Sequence, residues 1–364
     1  MYSRGLQSYG HSIDVLEPKD YEIGQRYAKA KKFRQAWGAW RAVKQKLRAN
    51  KYDLVEFYGD EFWLVSWQLS KSRNRPLLVA HTNGLELLDR SRSQFYNPRR
   101  SRLQRWVSLQ THERFSHLAF AYADAFVSLC ELDQQHVLDL MLYPIELTSV
   151  VEPGLDEEYL AVPFSPLKEE RVAFNGSWLP RKGIKELAAV MSVVLARNPK
   201  LHFDVYGTGG ARDVVLSTFP AELHARITVH PRISNKELAD SLAKAKIFFF
   251  PSQYEGFGIA LAEAMACGCA VVTTRTGFGW ALRDREEAWL CDFDDVMAME
   301  NAVQRLLQDD AMRTKVAVGG WHRVRALTWQ SNVKKLEAIY RGWLSNPQYE
   351  NRKIKARYSH ANNF

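Results

Sequence analysis

The stretch that decides the fold is KIFFFPSQYEGFGIALAEAMACGCAVVTT, residues 246–274. It opens with a continuous apolar run at 246–252 and crosses a Gly-Phe-Gly turn. A helical segment then runs through Ala266, and a second apolar run, AVVTT, closes it at 270–274. Strand, helix and strand, with strands apolar on both faces, read as one unit of a parallel sheet covered by helices. Two carboxylates, Glu255 and Glu263, sit inside this otherwise apolar segment.

The same grammar extends backwards. RVAFNGSW (171–178), HFDVYG (202–207) and RITVH (226–230) read as strands. KGIKELAAVMSVVLARN (182–198) carries an apolar helical face through Ile184, Leu187, Val190, Met191 and Val194. SNKELADSLAKA (234–245) opens on a capping box, Ser234 followed three residues later by Glu237. Alternating strands and helices imply a doubly wound α/β domain. The first half repeats the pattern less clearly: SIDVLE (12–17), YDLVEFYG (52–59), PLLVAHTNG (76–84) and AFVSLC (125–130) read as strands, and LTSVVEPGLD (147–156) as the crossing between domains. The expected domains are residues 1–154 and 155–340, a last helix at about 329–345 packing back toward the first domain, and a polar basic tail at 346–364. A doubly wound domain normally opens with a strand and a turn, whereas Met1 leads directly into a helical segment. The first domain is therefore expected to lack its first strand, as an N-terminal truncation would leave it.

The bulk numbers bound the class. The chain has 364 residues, 46% hydrophobic and 25% charged, as in a globular protein of two domains. No apolar run approaches the ~20 residues of a spanning helix, and no signal peptide is expected after Met1. The four cysteines (130, 267, 269, 291) fit no disulfide framework or paired metal spacing. We expect packed thiols in a cytoplasmic protein. The net charge of +9 lies mostly early: residues 1–150 hold 22 Lys+Arg against 16 Asp+Glu, and the rest 28 against 25. That balance points to an anionic partner for the first domain. No nucleic-acid module accompanies it, so nucleic acid is not expected as a partner.

The chemistry centres on the 246–274 segment. Glu255 falls on the loop at a strand's C-terminal end. Gly256 and Gly258 permit positive φ and close backbone approach, and the following helix presents free N–H groups and a positive dipole end. This is an anion site suited to phosphate. Glu263 lies about 1.5 turns into the helix, so the two carboxylates flank the anion. They do not face each other as a glycosidase pair would.

PSQYEGFGIALAEAMACGCAVVTT resembles the signature of the retaining family-four glycosyltransferases, whose hallmark is two glutamates separated by seven residues. VAFNGSWLPRKGI is similar to that family's phosphate loop, VVEPGLD to its interdomain segment and WQSNVKKLEAIY to its closing helix. The resemblance implies a GT-B fold, two Rossmann-like domains facing a central cleft. It implies retaining transfer of a sugar from a nucleotide-sugar donor to an acceptor hydroxyl on a glycan, a lipid-linked saccharide or a small metabolite. The alternatives are a phosphorolytic or hydrolytic relative and a non-catalytic sugar-nucleotide-binding protein. By position, Glu255 would hold the transferred sugar, and the backbone of Gly256, Phe257, Gly258 and Ile259 would bind the distal phosphate. Glu263 would take the ribose hydroxyls, Lys182 with Gly176 the diphosphate, the loop around Arg232 the base, and His81 the sugar. One departure stands out: Ser177 occupies a position where the family often has arginine. No metal or other cofactor is implied, because Lys182 and the helix end would offset the leaving-group charge.

Residues 26–51 hold ten Lys/Arg and no acid, with Phe33, Trp37, Trp40 and Leu47 at helical spacing. Two readings stand: a domain helix with a basic outer face, or an interfacial helix on an anionic membrane surface, which would make the protein peripheral on the membrane's inner face. A second basic set, Arg90, Arg92, Arg99, Arg100, Arg102 and Arg105, follows His81 and is suited to an acidic or phosphorylated acceptor.

Overall fold

The computed structural model describes residues 2–22, 30–72, 74–85, 87–89, 92, 114–209 and 211–346. The chain divides into two compact units. The first comprises Met1–Ser91, Arg99–Glu152 and Asn332–Phe364, and the second Arg92–Pro98 and Pro153–Ser331. The sequence reading drew the second domain to 340 while expecting the last helix to pack back toward the first; the chain from Asn332 on counts with the first unit. The reason is the apolar face of the helix Trp329–Leu344: Val333, Leu336, Tyr340 and Trp343 pack with Leu77, Val79, Ala125 and Val127 in one buried cluster.

The first unit holds a parallel sheet of β1 (Leu54–Tyr58), β2 (Leu77–His81), β3 (Ala125–Ser128) and β4 (Thr148–Val150), in sequence order. β2 and β3 are buried along their whole length, as a two-sided parallel sheet requires. SIDVLE at 12–17 forms no strand: its apolar residues alternate, but the segment is extended and pairs with no described strand. The helix Lys31–Ala49 forms where the spacing places one. Its small residues Ala36, Gly38, Ala39 and Val43 face inward, whereas Phe33 and Trp37 are 50% and 59% exposed. Residues 26–29 of the basic stretch lie outside the described residues.

The second unit holds β5 (Glu169–Asn175), β6 (His202–Tyr206), β7 (Ile227–Val229), β8 (Ala245–Phe250), β9 (Ala270–Thr274) and β10 (Trp289–Cys291). All neighbours are parallel, in the order β10-β9-β8-β5-β6-β7. The order reverses between β5 and β8, and ligands of open α/β sheets bind at the strands' carboxyl ends at such a switch point. The capping box forms as read: Ser234 accepts from Glu237 N and the Glu237 side chain from Ser234 N, starting the helix Asn235–Lys244. All four cysteines are free and buried, and burial pushes the Cys269 thiol up to about 11. No helix among the described residues is long and apolar enough to cross a membrane.

Candidate functional site

The loops leaving β5 and β8 are locked together by one glycine. Gly183 has φ +67°, and a Cβ there would lie 1.9 Å from the Pro251 carbonyl oxygen. Only glycine lets the loop 180–183 lie this close to the exit of β8. Gln253 N donates to Arg181 O at 2.9 Å across the same seam. Lys182 is thereby seated beside Glu255, Nζ to Oε1 2.6 Å, with side chains 12% and 8% exposed. Ser252 Oγ donates to the same Oε1 at 2.7 Å, and Glu255 N donates to Thr276 Oγ1 at 3.1 Å. Gly277, at φ +54°, completes the enclosure: a Cβ would meet Phe257 O at 2.4 Å and Glu255 Cβ at 2.9 Å.

The glycine turn lies next to this pair. Gly258, at φ +90°, caps the helix Ile259–Ala266. Phe257 is buried against Phe278, ring centroids 4.9 Å apart, and its carbonyl accepts from Phe278 N at 2.7 Å. Among the described residues, the N–H groups of Gly256, Phe257 and Gly258 donate to no backbone carbonyl. With the helix N-terminus, these groups favour an anion. On the β5 side, Gly176 N donates to Tyr206 O at 3.1 Å, and a Cβ at Gly176 would sit 3.8 Å from Lys182 Cδ. Among the described residues no group of three or more His, Cys, Asp or Glu could hold a metal ion.

Glu263 has different surroundings. Burial, then the charge of Asp156, pushes its carboxyl up to about 7. Asp156 itself is held by Asn235 Nδ2 at 2.9 Å and Trp329 Nε1 at 3.3 Å. The loop bearing Arg232 leaves β7 with Arg232 exposed. It is anchored by His230, whose ring stacks on Tyr206 at 4.3 Å and whose Nε2 lies 2.8 Å from Asp204 Oδ1.

His81 belongs to the first unit and is fully buried at the end of β2. Its Nδ1 lies 2.5 Å from Glu56 Oε1, its ring stacks on Tyr58 at 4.6 Å, and Tyr2 tilts against it at 5.8 Å. Its Nε2 has no hydrogen-bond partner. Glu56 Oε1 also accepts from Tyr340 at 2.6 Å and Tyr58 at 3.1 Å. Burial pushes the Glu56 carboxyl up, but these hydrogen bonds and the His81 charge prevail and hold it below the usual carboxylate range. Within the second unit the described structure brings Lys182, Glu255, Gly176 and the glycine turn together; within the first, His81 lies in a buried cluster with Glu56, Tyr58 and Tyr2.

Sequence reasoning missed Ser252, Thr276, Glu56 and the anchoring role of His230. The roles of Thr276, His230 and of Glu56 toward His81 come from contacts across strands, and that of Ser252 from the fold of the loop it shares with Glu255. Of the second basic set, Arg92 alone falls within the described residues. Its Nη1 donates to Gln253 O at 3.2 Å and to Thr276 Oγ1 at 3.1 Å.

The family model described as Glycosyl transferases group 1 matches residues 156–320. A D-inositol 3-phosphate glycosyltransferase of Nocardioides is 25% identical over 245 residues, 60% of this chain and 54% of that protein. One from Thermomonospora curvata is 31% identical over 180 residues, 49% of this chain and 40% of that protein. The chain thus spans about half the length of the curated relatives it matches. Among solved structures, sucrose-phosphate synthase from Thermosynechococcus elongatus superposes with a TM-score of 0.73 at 21% identity, covering 94% of this chain and 91% of that one. A UDP-forming trehalose-phosphate synthase from Burkholderia xenovorans gives 0.62 at 12% identity, covering 84% and 78%. The chain has the GT-B fold, and its segment 156–320 belongs to the glycosyl transferases group 1 family.

Proposed function

We propose that this protein is a retaining glycosyltransferase that moves a sugar from a nucleotide-sugar donor to an acceptor hydroxyl. The observation that carries the reading is the Lys182–Glu255 contact beside the glycine turn at the β5/β8 switch point. In the donor complex Lys182 and the turn's N–H groups face the diphosphate, Glu255 holds hydroxyls of the transferred sugar, and Glu263 takes the ribose. The bond between anomeric carbon and diphosphate breaks with its electron pair going to the phosphate oxygen; the acceptor oxygen takes its place on the same face and its proton passes to that departing phosphate oxygen. Preorganised positive charge at the leaving group is worth most in such a step. His81 is carried in the proposal as the family resemblance assigns it, with Glu56 as the group that orients it. The proposal includes no metal: transfer that survives a chelator supports this, and complete loss contradicts it.

The proposal adds a membrane seat for the first unit. Trp37 projects from a helix whose exposed Arg41 and Lys44 flank it. An exposed tryptophan among cations suits an anionic lipid surface. Co-sedimentation with anionic vesicles that weakens with salt supports this, and its absence ends it. The enzymatic reading is tested by screening nucleotide sugars for thermal stabilisation, followed by linkage analysis of products. No stabilisation by any nucleotide sugar contradicts it.

A further inference from the structure

Buried polar atoms are hydrogen-bonded in nearly all native structures, so those that are not call for a ligand or another explanation. In the second unit five side chains carry a buried polar atom with no partner: Trp178, Thr208, Gln253, Gln304 and Trp321. Three of them sit on the loops that leave β5, β6 and β8, the strands around the switch point. Gln304 and Trp321 lie on the helices Val296–Gln308 and Asp310–Val324, outside those loops.

Gln253 is the most telling of the three. The residue is 6% exposed, yet its Oε1 has no partner. Its backbone is fully engaged, N to Arg181 O and O from Arg92. It follows Ser252, which holds Glu255, and precedes Glu255 by two residues. The neighbouring polar groups are spoken for: Lys182 and Ser252 both point to Glu255 Oε1, and Thr276 receives Glu255 N. An amide both donates and accepts, and so matches a sugar hydroxyl, which does the same.

We propose that the side-chain amide of Gln253 is a further contact to the transferred sugar and helps set which sugar is accepted. This rests on the donor-site reading above. A site built to hydrogen-bond a hydroxyl discriminates strongly, because the wrong sugar leaves the buried group unpaired.

The test is calorimetric titration of wild type and Gln253→Met with UDP-glucose, UDP-N-acetylglucosamine and GDP-mannose, and with UDP and GDP alone. The proposal expects the variant to bind the preferred nucleotide sugar at least about tenfold more weakly, some 1.4 kcal/mol. The bare nucleotide should bind within about twofold of wild type, and the melting temperature should not fall, since methionine fills the same space without an unpaired amide. Unchanged affinity for the nucleotide sugar overturns the inference and leaves the donor-site reading intact. Equal weakening of sugar nucleotide and bare nucleotide, or weakening that follows a lowered melting temperature, also overturns it. Wild type that binds none of the five ligands overturns both. Gln253→Leu, read the same way, guards against a variant that fails to fold.

Discussion

Each unit surrounds one glutamate with side-chain donors, Glu56 midway along β1 and Glu255 on the loop leaving β8, and the two are completed differently. Glu56 accepts from three side chains, His81, Tyr340 and Tyr58, all from its own unit. Glu255 accepts from two, Lys182 and Ser252, next to a turn whose N–H groups are uncommitted. The first network is closed: its donors have nowhere better to go. The second is exchangeable, because a diphosphate offers Lys182 more charge than one carboxylate does. A buried glutamate alone therefore says little, and what distinguishes the two is whether a stronger partner can displace its cation.

The comparison can be broken at either end. The largest effect is expected at Glu255. Glu255→Gln should cut transfer by about a thousandfold, as loss of a preorganised group at the reacting centre does, with little change in melting temperature; an unchanged rate removes the residue from the chemistry. Glu56→Ala should instead cost about 3 kcal/mol of stability by stranding three buried donors, read by denaturant unfolding, while UDP affinity stays put. A loss of transfer from Glu56→Ala at unchanged stability would falsify the closed-network description and leave the orienting of His81 as the whole of Glu56's role. Lys182→Met should weaken nucleotide binding by about 10- to 100-fold, the worth of a hydrogen bond to a charged group. It should also lower the melting temperature, since Glu255 is left buried without its cation.

The last comparison concerns pH. The Glu263 carboxyl stands near 7 in the folded protein, above its unfolded value, so the fold holds this proton longer than the unfolded chain does. Stability from this group is present below pH ~4.5 and is lost as pH rises toward 7, on the order of 3 kcal/mol in all. Wild type should therefore lose melting temperature relative to Glu263→Gln between pH 5 and 8. Nucleotide affinity should rise severalfold over the same range as the carboxylate forms. Parallel profiles for the two proteins contradict both expectations.

Much of the second unit was legible in the sequence because its strands are apolar on both faces and its helices are capped by local residues such as Ser234 and Glu237. The first unit was less so. SIDVLE reads as a strand but pairs with no described strand, and the spacing in the Lys31–Ala49 helix left open which face turns inward: it is that of Ala36, Ala39 and Val43, with Trp37 exposed. At the site, Glu255 and Lys182 were found one by one through resemblance, but their contact was not. It depends on Gly183 approaching Pro251, a tertiary event. Thr276 gains meaning only once β8 and β9 lie side by side.

The central claim is that Lys182 is held by Glu255 until a diphosphate takes it. The most direct test titrates UDP, GDP and ADP into wild type and Glu255→Gln in parallel. The account predicts that the inactive variant binds the preferred nucleoside diphosphate more tightly, by about tenfold, because no ion pair has to be broken and no carboxylate repels the phosphates. Equal or weaker binding by Glu255→Gln contradicts it.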